Sequence, residues 1–198
     1  MNDTLLQKLA SHIGGGSGAA VLRIGGSDQN SMDYNLSRTD LPPPCACGQR
    51  CTLTLGLWRQ IVDFARASGH RLLFGLAPNA DMATALIRTA AARNDTVFAY
   101  TYGNEINSEK LFDGYRQIRA LLNNGSVFPV QSARPLLAGP DVALQRHASL
   151  EDALAGKDST IVDALAWVET FAAGVRGWGP GEPCSMGPNA FSSFLKSK

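Results

Sequence analysis

The feature that most constrains the fold of this chain is an alternation. Short apolar runs with strand character take turns with segments whose apolar residues recur every three or four positions, and a β, α, β, α, β, α, β order argues for parallel βα units. The first strand is expected over Ala20–Ile24 (AVLRI), closed by Gly25-Gly26 and followed by a polar, Pro-rich loop to about Thr52. A helix over roughly Leu53–Ser68 places Trp58, Ile61, Val62 and Ala65 on one face and stops at Gly69. Arg71–Leu76 (RLLFGL) is the second strand, and Ala80–Arg93 the next helix, with Met82, Leu86 and Ala90 on its apolar stripe. Thr96–Tyr102 (TVFAYTY) is the third strand, and Glu109–Leu122 a helix carrying Leu111, Tyr115, Ile118 and Leu122 at helical spacing. Arg134–Leu137 with Ala138-Gly139 makes a fourth, short strand.

After Asp141 the pattern changes. Ser149-Leu-Glu-Asp152 resembles a capping box, Ile161–Val175 reads as a long helix with Leu165, Val168 and Ala172 inward, and the stretch 174–187 turns Gly- and Pro-rich. Ala190–Lys198 looks like the start of a further helix, so the chain reads as cut rather than finished. Two units are expected, an α/β unit over 1–142 and a helical, Gly/Pro-rich insertion over 143–198.

Charge narrows the partners. With 18 basic and 17 acidic residues, a net charge of +1 and no Lys/Arg run, the chain offers no electrostatic case for nucleic acid or anionic lipid. Its apolar stretches, such as Val21–Ile24 and Ile161–Val168, break well before the roughly 20 residues of a membrane span, so no transmembrane segment is expected. Met1–Ala10 reads as a short amphipathic helix and not as a signal peptide. Three of four cysteines (Cys45, Cys47 and Cys51, with Cys184 apart) crowd into LPPPCACGQRC, which suits a disulfide-stapled insertion outside the cytosol. Their spacing is unlike paired zinc knuckles and no His lies near, so no metal is expected. Sequons at Asn2, Asn35, Asn94 and Asn124 permit glycosylation of an exported protein. A reading frame that begins upstream of Met1 would reconcile the cysteines with the missing leader.

Several motifs lead nowhere. Gly14-Gly-Gly-Ser-Gly18 precedes a strand instead of following one, so it reads as a connection and not a phosphate loop. His12, His70 and His147 are scattered, and neither H-E-x-x-H nor G-x-S-x-G occurs. The chemistry is expected at the carboxyl ends of the strands, where a parallel barrel builds its site: Ser27-Asp28-Gln29-Asn30, then Asn79 and Asp81, then Asn104-Glu105, then Asp141. Glu105 is the best candidate, because partial burial after an apolar strand would raise its pKa toward that of a general acid. Its alternative is a loop Glu capping the helix that begins near Ser108.

Four stretches, Val21-Leu-Arg-Ile-Gly-Gly-Ser-Asp-Gln-Asn30, Arg71-Leu-Leu-Phe-Gly-Leu76, Tyr102-Gly-Asn-Glu-Ile-Asn107 and Gly139-Pro-Asp-Val142, resemble successive landmarks of the heparanase-like glycoside hydrolases, family 79. The similarity extends over about residues 5–142. It implies an α/β fold, a partial (β/α)8 TIM barrel holding about the second to fifth strands, acting in a retaining β-glucuronidase or endo-β-glucuronidase. By that resemblance Glu105 is the acid/base, Asn104 orients the sugar's 2-hydroxyl or the nucleophile, and Ser27 lines the uronic-acid subsite; Asp28 and Asn79 are the other substrate-binding candidates. The family's nucleophile is a Glu on the seventh strand, which has no counterpart here: Glu169 and Glu182 sit in a helix and a Gly/Pro loop. The chain is thus expected to be a fragment, inactive alone, of a parent that is extracellular, lysosomal or membrane-associated. Neither cofactor nor metal is implied, and the partner is a carbohydrate, a β-glucuronide or glycosaminoglycan-like chain. The near-zero charge favours a less sulfated β-glucuronide. Open barrel edges would let copies associate. The alternative is a non-catalytic carbohydrate-binding or partner protein derived from such an enzyme, with residues 143–189 completing the fold.

Overall fold

In chain order the elements are β1 (Val21–Ile24), a 3-10 turn (Ser27–Ser31), β2 (Asp33–Asn35), β3 (Thr52–Thr54), α1 (Leu55–Ala67), β4 (Arg71–Leu76), α2 (Ala80–Ala92), β5 (Ala99–Tyr102), α3 (Glu109–Leu122) and β6 (Leu136–Leu137). The computed structural model describes residues 8, 10–12, 20–43, 50–104, 109–130 and 133–139. Strands β1, β4, β5 and β6 form one sheet in that order, every neighbouring pair parallel. The α/β reading with a parallel sheet therefore holds. Helices α2 and α3 each return the chain from the carboxyl end of one strand to the amino end of the next, as a parallel pair requires.

Period-2 alternation decides what the sheet buries. Leu72, Phe74 and Leu76 of β4 and Tyr100 and Tyr102 of β5 join the core with Trp58, Ile61, Val62 and Ala65 of α1. In register, Ile24, Phe74, Tyr100 and Leu137 lie side by side across all four strands. Trp58 stands edge-on to Phe74, ring centroids 5.1 Å apart at 86°, and Tyr102 meets Tyr115 of α3 at 5.7 Å and 81°. Burying each of these large side chains is worth about 1.5–3 kcal/mol. Gly114 explains how α3 comes so near: a Cβ there would run into the Tyr102 ring. The Tyr115 hydroxyl then accepts from Tyr102 N at 3.2 Å and donates to Ala138 O at 3.3 Å, so one phenol ties α3 to β5 and to the chain leaving β6.

Several expectations need correction. The loop from Gly25 to Thr52 contains a strand, and the helix expected from Leu53 starts at Leu55, because Thr52–Thr54 pairs in parallel with Asp33–Asn35. Thr54 ends that strand and caps the helix, its hydroxyl accepting from Leu57 N at 3.2 Å. On α2 the buried stripe is Ala83, Leu86, Ile87 and Ala90, with Met82 turned to the helix edge. Strands β5 and β6 begin later than Thr96 and Arg134, although the hydrogen bonds Phe98 N to Leu72 O (2.8 Å) and Leu136 N to Phe98 O (2.9 Å) show extended chain ahead of each.

Cys51 is disulfide-bonded, with its partner outside the described residues. Also outside them lie Gly14–Gly18, Cys45, Cys47, Cys184, the whole stretch 143–198 with Glu169 and Glu182, and most of Met1–Ala10. Among the described residues no helix is long and apolar enough to cross a membrane.

Candidate functional site

The 3-10 turn after β1 is fastened onto β4 by one side chain. Gln29, 2% exposed, accepts from Gly26 N at 3.0 Å through Oε1 and donates to Leu76 O at 3.2 Å through Nε2. It lies directly over Gly75, where any Cβ would collide with the Gln29 carboxamide, so the glycine inside RLLFGL is the space this tether needs. Tyr34 of β2 makes a second tie, its phenol oxygen accepting from Ala77 N at 2.9 Å just past β4. Burial raises the Tyr34 pKa to about 12.

With the turn fixed, Asn30 reaches the end of β5. Its Nδ2 donates to Asn104 O at 2.7 Å and its Oδ1 accepts from Asn104 N at 2.8 Å, so one carboxamide satisfies both main-chain groups of Asn104. From β1, Arg23 Nη2 donates to Asn104 Oδ1 at 3.1 Å. A guanidinium can only donate, so this bond assigns the Asn104 amide: oxygen toward Arg23, nitrogen away from it. Asn104 is 6% exposed, and its Nδ2 donates to no described residue. The carboxyl ends of β1 and β5 thus converge on a side-chain amide presented as a donor.

The expected site residues fare unequally. Asn104 and the Ser27–Ser31 turn are brought together. Ser27 starts that turn, its side chain lying outside the description, and Asp28 is exposed on it. Asn79 is exposed and caps α2, its Oδ1 accepting from Met82 N at 3.1 Å. Asn79 and Asn30 line one cavity of about 200 Å³ with Met32, Asp33, Arg50 and Met82. Glu105 and Asp141 lie outside the described residues. Arg23 escaped the sequence reading, although a cation between Leu22 and Ile24, just before Gly25-Gly26, marks a strand position facing away from the helix layer.

A larger cavity, about 550 Å³, opens at the opposite, amino ends of the strands, lined by residues that include Asn94, Val97, Tyr100, Phe128 and Val130. Its carboxylate, Asp95, has a side chain only 5% exposed and is already engaged by Trp58 Nε1 at 2.8 Å and Arg93 Nε at 3.1 Å. That acid is structural, and the size of the cavity does not make it the site. Among the described residues no group of three or more His, Cys, Asp or Glu gathers as metal ligands would. Neither a known protein family nor a curated protein matches the chain.

Proposed function

We propose that the parallel β/α layer is part of a (β/α)8 barrel of the heparanase-like glycoside hydrolase type, and that it carries the acid/base half of a retaining β-glucuronidase site. The observation that supports this reading is the Arg23–Asn104–Asn30 cluster at the carboxyl ends of β1 and β5. Asn104, held at its N–H, C=O and Oδ1, presents Nδ2 as a donor to a sugar hydroxyl, and the next residue in the chain is Glu105. Glu105 protonates the leaving glycosidic oxygen and then removes a proton from the attacking water, while a second carboxylate about 5–5.5 Å away forms the glycosyl intermediate. The substrate is a lightly sulfated or unsulfated β-glucuronide, met outside the cytosol, in keeping with the near-neutral charge and the bonded Cys51.

The test is hydrolysis of aryl β-D-glucuronides by the native protein and its Glu105→Ala variant. The variant should lose most activity on poor leaving groups and keep more on good ones, which need no proton. Azide, a nucleophile that needs no base, should restore turnover and give the β-glucuronosyl azide. Equal loss on all leaving groups with no azide product would contradict the role of Glu105.

A further inference from the structure

We infer that Asn35, Asn94 and Asn124 are sites of N-linked glycosylation, each taking an oligosaccharide from a polyprenyl-diphosphate carrier. The inference shares with the proposed function only the location outside the cytosol. It starts from a division of labour among the asparagines. Asn30 uses both ends of its carboxamide, and its Nδ2 is committed to Asn104 O at 2.7 Å, so a sugar on that nitrogen would break the site. Neither Asn30 nor Asn104 is followed by the x-Ser/Thr that a transferase requires.

The sequon asparagines are built the other way round. Asn124 Oδ1 accepts from Ser126 N at 2.9 Å and from the Ser126 hydroxyl at 2.8 Å. A backbone N–H can only donate, so the oxygen holds the turn and Nδ2 is the outward atom. At Asn35 the Ser37 hydroxyl likewise donates to Oδ1 at 2.8 Å. Asn94 takes the left-handed conformation (φ 53°) that closes α2, and its carboxamide bonds to no described residue. All three are exposed, and none donates its Nδ2 to a described residue. Substitution on nitrogen leaves the amide oxygen an acceptor, so both turns survive modification intact.

Placement agrees with the chemistry. Asn94 and Asn124 follow the C-termini of α2 and α3, which run back to the amino ends of the strands, so their glycans face away from the Arg23–Asn104–Asn30 cluster. Asn94 stands on the rim of the larger cavity with Val130, which is 61% exposed, and the first sugar there shields that apolar lip. In the transfer the Asn Nδ2 forms a bond to the anomeric carbon, and the bond from that carbon to the carrier's diphosphate oxygen breaks. The diphosphate leaves with the electron pair, and the nitrogen gives up one proton to a base.

The test is to express the full 198-residue chain behind a cleavable secretion leader in a eukaryotic cell and to treat the secreted protein with peptide N-glycosidase, which converts each glycosylated Asn to Asp. Tandem mass spectrometry is expected to find Asp at positions 35, 94 and 124, and Ser37→Ala, Thr96→Ala and Ser126→Ala each to remove one glycan. Because a variant can fail to be secreted, the same chains are translated in a cell-free system with microsomes, where glycan number is read without export. Unmodified Asn at these positions in both systems would overturn the inference. The readout is the mass of an asparagine, so a failure of glucuronide hydrolysis does not affect it.

Discussion

Replacing Asn30 by Ala removes two hydrogen bonds, the 2.7 Å donation to Asn104 O and the 2.8 Å acceptance from Asn104 N, and leaves both main-chain groups of a residue only 6% exposed without those partners. A buried, unsatisfied polar group costs about 1–3 kcal/mol, but Asn30 is itself exposed, so water can reach part of the gap and the lower half of that range applies. About 1–2 kcal/mol in a chain of this size corresponds to a fall in Tm of roughly 2–8 °C. Asn30→Asp is the sharper probe. Its carboxylate still accepts from Asn104 N, yet its other oxygen faces the Asn104 carbonyl where a donor stood, which favours the protonated acid in the fold. The folded-state pKa of the new Asp is thereby raised above its unfolded value, so stability is retained below about pH 4 and lost as pH rises through the folded pKa. Urea unfolding at pH 7 and at pH 4, followed by tryptophan fluorescence, measures both variants against Asp28→Ala, an exposed neighbour expected to be neutral. An Asn30→Ala midpoint equal to wild type, or an Asn30→Asp deficit that does not shrink at the lower pH, would refute the reasoning.

Three further outcomes follow from the packing. Gly75→Ala should destabilise by about 1–3 kcal/mol, because its Cβ must displace the buried Gln29 carboxamide, and pairing it with Gln29→Ala should cost less than the sum of the two, as a double-mutant cycle would show. Trp58→Phe keeps most of the apolar burial but withdraws the indole N–H from Asp95, leaving that acid to Arg93; a loss of about 1–3 kcal/mol in thermal or urea unfolding is expected, and a loss within error of zero would remove Asp95 from the structural account. Tyr34, raised to about 12 by burial, holds its proton more tightly folded than unfolded. Its contribution is therefore fully present below pH 10 and is lost as pH rises from 10 to 12, on the order of 2–3 kcal/mol. Buried Tyr100 and Tyr102 shift in the same direction, so unfolding between pH 10 and 12 should steepen with tyrosine ionisation followed by ultraviolet absorbance.

Periodicity carried the helix layer. Trp58, Ile61, Val62 and Ala65 are buried as their spacing predicts, and α3 runs over Glu109–Leu122 as expected. What periodicity could not carry was short or depended on distant partners. Asp33–Asn35 and Thr52–Thr54 are three-residue strands, too brief to leave a period-2 signal, and each forms because the other is there. Met82 occupies a position that helical spacing alone would turn inward, but the small side chain of Ala83 packs in its stead and Met82 lines the cavity with Asn30. At the site, strand-end logic pointed to Asn104 and to the Ser27–Asn30 segment, while the Asn30–Asn104 and Arg23–Asn104 contacts that build it span 74 and 81 residues of sequence. Nothing local marks Asn30 as the partner of Asn104, or Gly75 as the seat of Gln29. Both roles exist only after β1, β4 and β5 are side by side.

The central claim is that Asn104, held by Arg23 and Asn30, presents its side-chain amide to a glucuronide. Titrating the uniformly ¹⁵N-labelled chain with methyl β-D-glucuronide, and following backbone and side-chain amides by two-dimensional NMR, tests it most directly. The account predicts saturable shifts at the Asn104 side-chain NH₂, at the Arg23 guanidinium and along the Ser27–Ser31 turn, lost in Asn104→Ala. No saturable shift at these groups, or shifts confined to the larger cavity around Asn94 and Val130, would contradict it.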